Sequence, residues 1–84
     1  MPEPCFRMVV RRVFRLPGRP VVVAGAADPV GLRSGDLVDV LRDGAVAATT
    51  RAFVEVHAPA GVVALVLPDV APSDVEPGMV VRRA

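Results

Sequence analysis

The chain contains no Lys, Asn, Gln, Ile, Trp or Tyr, and Arg supplies every basic side chain. Whole reaction classes are excluded by that inventory. Without Lys there is no phosphate-binding loop of the G-x-x-x-x-G-K-[ST] kind and no Schiff-base chemistry, so nucleotide binding and hydrolysis by this chain alone are not expected. A single cysteine, Cys5, rules out an internal disulfide and fits a reducing compartment or an indifferent one, although it could bridge two copies. The start Met1-Pro2-Glu3-Pro4 has neither a basic nor an apolar leader region, and no apolar run is long enough to span a bilayer. A soluble, cytoplasmic protein without a membrane partner is the expectation.

What is present is apolar and strand-like. The 84 residues are 52% hydrophobic and 23% charged, enough for one domain over residues 1–84 with one small core. Net charge is +1, but unevenly spread: residues 1–20 carry five Arg against one Glu, and residues 28–76 carry eight acids against three Arg. A basic N-terminal face can attract phosphate or an acidic partner, whereas solvated strand charges are the commoner meaning of such a pattern.

Short apolar runs alternate with Gly, Pro and Asp, and no segment keeps a helical period beyond one or two turns. The reading is all-β. Strand one is expected over Cys5–Leu16 with a bulge at Arg11-Arg12, and Pro17-Gly18 turns the chain into a strand ending near Ala26. A strand over Asp36–Leu41 leads through the Asp43-Gly44 hairpin turn into one over Ala45–Val56. Val62–Leu67, continuously apolar, is expected to be buried on both faces or nearly so. One helical turn is expected near 72–76, then a last strand over Met79–Arg83. Six strands with Gly at the corners predict a small closed six-stranded antiparallel β-barrel, since closure removes sticky edges.

These residues resemble the second domain of translational GTPases, the translation-protein β-barrel best known from elongation factor Tu. The likeness rests on Phe6, Val10, Val13, Phe14, Leu16, Gly18, Arg19, Val22, Val23 and Gly25, then Arg33-Ser34-Gly35-Asp36 before Leu37-Val38-Asp39-Val40. It continues through Val63–Leu67, Asp69-Val70 and Asp74–Val80, so it covers nearly the whole chain. The resemblance implies a free-standing barrel without the GTPase domain that normally precedes it. In that family the loop after the Val-Val-x-Gly strand carries Arg and Glu and helps hold the aminoacylated end of tRNA. Here it reads Ala26-Ala27-Asp28-Pro29-Val30, in which Asp28 alone keeps the acidic character. The family's excursion between the fourth and fifth strands shrinks to His57-Ala58-Pro59, so capture of aminoacyl-tRNA in the family's manner is not expected.

Candidate sites are few. Strict alternation puts Arg7, Arg11, Arg15 and Arg19 on one side and Arg12 opposite, unless the bulge reshuffles them. With Asp28 they form the candidate RNA or partner-binding set. RNA binding also calls for exposed aromatic rings, and Phe6, Phe14 and Phe53 are all expected in the core. A Cys5–His57 dyad lacks a third, orienting residue, and one His with one Cys is too few ligands for a metal. Gly18, Gly25, Gly35 and Gly78 serve the backbone, with Gly25 expected where another strand crosses closely. No enzyme, cofactor or metal is expected. The leading expectation is a non-enzymatic module that binds a protein partner or self-associates; the alternative is an RNA binder for tRNA or rRNA using the Arg strip.

Overall fold

The computed structural model describes residues 6–27 and 31–84. Cys5 and Asp28, both singled out from the sequence, lie outside the described residues. The strands are β1 (Arg7–Val9), β2 (Arg12–Phe14), β3 (Val21–Ala26), β4 (Asp36–Arg42), β5 (Ala45–Val54), β6 (Val62–Leu67) and β7 (Val80–Arg83). The helical turn expected near 72–76 is a 3-10 turn over Pro72–Asp74, started by proline's fixed φ. No helix of the described residues is long and apolar enough to cross a membrane.

All pairings are antiparallel and make one seven-stranded sheet in the order β1-β7-β4-β5-β6-β3-β2. Two expectations are corrected here. Among the described residues the sheet has seven strands rather than six, and it is not closed, because no ladder pairs β1 with β2 at its two edges. Both departures come from Val10 and Arg11. The Val10 N–H donates to the Met79 carbonyl at 2.8 Å, whereas the Arg11 N–H donates to the Ala24 carbonyl, also at 2.8 Å. The expected first strand thus leaves β7 and joins β3 within two residues. Arg11 and Arg12 are both exposed, so the inward series Phe6, Met8, Val10 resumes at Val13 after a shift of one.

Gly25 lies where β1 passes β3. A Cβ there would overlap the Val9 carbonyl oxygen and approach Met8 Cγ to 2.9 Å. The close crossing expected from the sequence is present. The Asp43-Gly44 turn also forms as expected, with φ of 51° and 82°, the left-handed pair that matches strand twist in a two-residue hairpin.

Alternation supplies the core. Phe6, Met8 and Val10, Val21 and Val23, Val38 and Val40, Leu65 and Leu67, Val75 and Val81 are all essentially inaccessible to solvent. Each such side chain contributes about 1.5–3 kcal/mol by leaving water. Thr50 is the one buried polar residue among those described, and its hydroxyl is satisfied twice: Oγ1 donates to the Arg51 carbonyl at 2.8 Å and accepts from the Asp69 N–H at 3.1 Å. β6 is not buried on both faces. Val63, Leu65 and Leu67 point inward while Ala64 and Val66 are half-buried on the outer side.

Candidate functional site

The arginines do not form the row that uninterrupted alternation predicts. Arg7 sits on β1 opposite Arg82 of β7, and Arg82 in turn lies 3.9 Å from Asp39. After the shift at Val10–Arg11 it is Arg12, not Arg15, that points outward from the strand. Arg15 shares the parity of Val13 and is spent on structure: its Nε donates to the Pro72 carbonyl at 2.8 Å and its Nη2 to the Val75 carbonyl. Arg19 is exposed in the Pro17-Gly18 turn, which is closed by its own N–H on the Leu16 carbonyl at 3.1 Å. Arg15 and Arg19 flank an open groove of about 600 Å³ whose floor includes Leu16, Pro20, Pro68 and Pro72. Arg7 and Arg82 are on the other half of the sheet.

Two of the three phenylalanines are not in the core. Phe6 is buried, but Phe14 and Phe53 are 48% and 37% exposed, and Leu16 is 61% exposed. The ladders explain why. Phe14 pairs with Val22, Val22 with Val66, and Val66 with Phe53, which makes one apolar row across the outer face of β2, β3, β6 and β5. The adjacent row is Arg12, Ala24 and Ala64, extended to Glu55 by its N–H donating to the Ala64 carbonyl at 2.8 Å. A shallow depression of about 240 Å³ between Arg11, Arg12, Ala24, Ala26 and Val62 continues this face.

A carboxylate and a guanidinium fix one margin of the face. Arg51 Nε and Nη2 donate to Asp69 Oδ2 and Oδ1 at 2.8 and 2.9 Å, and the Arg51 backbone N–H donates to Oδ2 at 3.1 Å. These bonds, the side-chain ones first, lower the Asp69 pKa to about 2 and raise that of Arg51. The same guanidinium carbon lies 5.8 Å from the centre of the Phe53 ring, within cation–π range.

The sequence does carry a signal for this face. The residues two before and two after Phe53 are Arg51 and Glu55, and the residue two before Phe14 is Arg12. In a strand such neighbours share a side, so both rings are marked as solvent-facing. The row itself needs the β5–β6 register, which no short-range pattern contains.

His57 is exposed in the turn after β5, and Cys5, the thiol weighed against it in the sequence, is outside the described residues. Among the described residues no group of three His, Cys, Asp or Glu is placed to hold a metal. No protein-family model matches the chain, and no curated protein matches it.

Proposed function

We propose that this chain is a non-enzymatic interaction module of the cytoplasm, a translation-factor-like β-barrel resembling the second domain of elongation factor Tu-type GTPases. On this reading the sheet is an open form of that barrel, its two ends drawn together where Val10 and Arg11 pass from β7 to β3. The close fit of Gly25 against β1 and the Gly18 turn support it. The module binds a protein partner or a second copy through the outer face of β2, β3, β6 and β5. One observation carries this: the row Phe14–Val22–Val66–Phe53 presents two large rings to solvent on a strand face rimmed by charge. Such a contiguous apolar patch with a polar rim is the usual form of a protein-binding surface.

A second reading, RNA binding, draws on a different aspect of the same residues. Exposed Phe14 and Phe53 are rings on which bases can stack, and Arg7, Arg11, Arg12 and Arg19 are exposed cations. Glu55 and Asp69 beside the rings oppose it, since a phosphate backbone following that face would meet two carboxylates.

Photo-crosslinking from benzoylphenylalanine in place of Phe53, in the native cells, tests the assignment. Protein adducts from position 53 and none from the hairpin tip at Asp43 are expected. Adducts chiefly to RNA would favour the second reading, and no adduct from position 53 would overturn both.

A further inference from the structure

The apolar row has a symmetry that no single copy uses. Read from β2 to β5 it runs Phe14, Val22, Val66, Phe53, the same in both directions. The neighbouring row runs Arg12, Ala24, Ala64, Glu55, the same in both directions except that its ends are of opposite charge. Neither Arg12 nor Glu55 makes an ion pair among the described residues.

We propose that the face is self-complementary and pairs two copies of the chain about a twofold axis running along the strands, between β3 and β6. This rests on the reading of the face as a binding surface and names its occupant. Rotation about such an axis reverses the order of the strands but keeps position along them. β2 of one copy then covers β5 of the other, and β3 covers β6. Phe14 meets the partner's Phe53, Val22 meets the partner's Val66, and Ala24 meets the partner's Ala64. Arg12 meets the partner's Glu55, twice per dimer. Each of these four contacts is apolar on apolar or cation on anion. An axis across the strands instead sets β2 on β2 and β5 on β5, which places Arg12 and Glu55 against the partner's rings or against their own kind. Charge therefore selects the first arrangement.

The geometry also sets the strength. Four strands at ~4.8 Å spacing and two side-chain rows about 6.8 Å apart make a contact of only a few hundred Å² per copy. Stable interfaces cover about 800 Å² per partner, so this dimer is weak and dependent on concentration. Two sheets stacked in this way sit about 10 Å apart with their strands roughly aligned.

Sedimentation equilibrium of the full chain from about 10 μM to 1 mM, a range that brackets weak association, tests the arrangement. Arg12→Glu and Glu55→Arg each place like charges opposite one another and should each weaken association about tenfold or more. The double variant restores both pairs and should return to within about threefold of the parent, a shift well under 1 kcal/mol. Both substituted positions, 12 and 55, are exposed, and circular dichroism checks that the variants fold. A parent that stays monomeric at 1 mM, single swaps without effect, or a double variant that fails to recover would each overturn the proposal. The broader reading fails separately: a monomer whose position 53 still crosslinks to another protein loses the dimer and keeps the binding face, whereas a monomer without adducts loses both.

Discussion

Gly25 Cα lies so close to the carbonyl oxygen of Val9 that a methyl group on Gly25 has no room. The clash is with backbone, which cannot turn aside as a side chain can. It occurs where β1 crosses β3, at the change of partners that lets one N-terminal segment serve both ends of the sheet. Gly25→Ala should therefore cost about 1–3 kcal/mol, as overpacking does, with no loss of any hydrogen-bonding side chain. Urea denaturation measures it, and a change under about 0.5 kcal/mol, the range of ordinary surface substitutions, contradicts the crossing.

Arg15 ties the end of β2 to the carbonyls of Pro72 and Val75, 57 and 60 residues away. Arg15→Ala should lower stability by about 1–2 kcal/mol, because the part-buried Val75 carbonyl and the exposed Pro72 carbonyl lose a charged donor. Arg15→Lys should recover only part of this, since one ammonium cannot serve two acceptors as the guanidinium fork does. Arg19→Ala, in an exposed turn without a side-chain partner among the described residues, should change stability by less than about 0.5 kcal/mol.

Asp69 links acid stability to the Arg51 bridge. Its folded pKa, about 2, lies below the ordinary 3.8, so the carboxylate is favoured by folding. The stabilisation is fully present above pH 3.8 and is lost as pH falls through about 2. Asp69→Asn should flatten the fall in stability over that window while leaving the neutral-pH fold intact, and added salt should shrink the effect because the pair is exposed. Equilibrium unfolding followed from pH 5 to 2, with and without about 0.5 M salt, reads both.

The three phenylalanines should separate into two classes. Phe6→Ala removes a fully buried ring and should cost about 3–5 kcal/mol. Phe14→Ser and Phe53→Ser remove rings that are still partly in water and should cost about 1 kcal/mol or less each, while abolishing association through the outer face. Equal destabilisation at all three sites would return the outer rings to the core.

Much of the fold was legible in local pattern. The alternation around Val38 and Val40, the Asp43-Gly44 turn, the strand over Val62–Leu67 and the turn beginning at Pro72 all depend on neighbours a few residues apart. The break in the N-terminal strand was only half legible: Arg11-Arg12 marked an interruption, but the exchange of β7 for β3 depends on Met79 and Ala24, which are distant in sequence. The same limit hid the candidate site. Phe14 and Phe53 are 39 residues apart and become one row only through Val22 and Val66, so strand context alone assigns both rings to the core. Burial of a β residue is decided by which side of the sheet it is on, and here the charges at Arg12, Arg51 and Glu55 fix that side.

Backbone amide NMR spectra recorded on dilution from about 1 mM to 20 μM test the central claim most directly, since weak association shifts only the residues at the contact. The account predicts concentration-dependent shifts at Arg12–Phe14, Val22–Ala24, Phe53–Glu55 and Ala64–Val66, with β1, β7 and the Asp43-Gly44 turn unchanged. Spectra that do not vary with concentration, or shifts centred on Arg7 and Arg82, would contradict it.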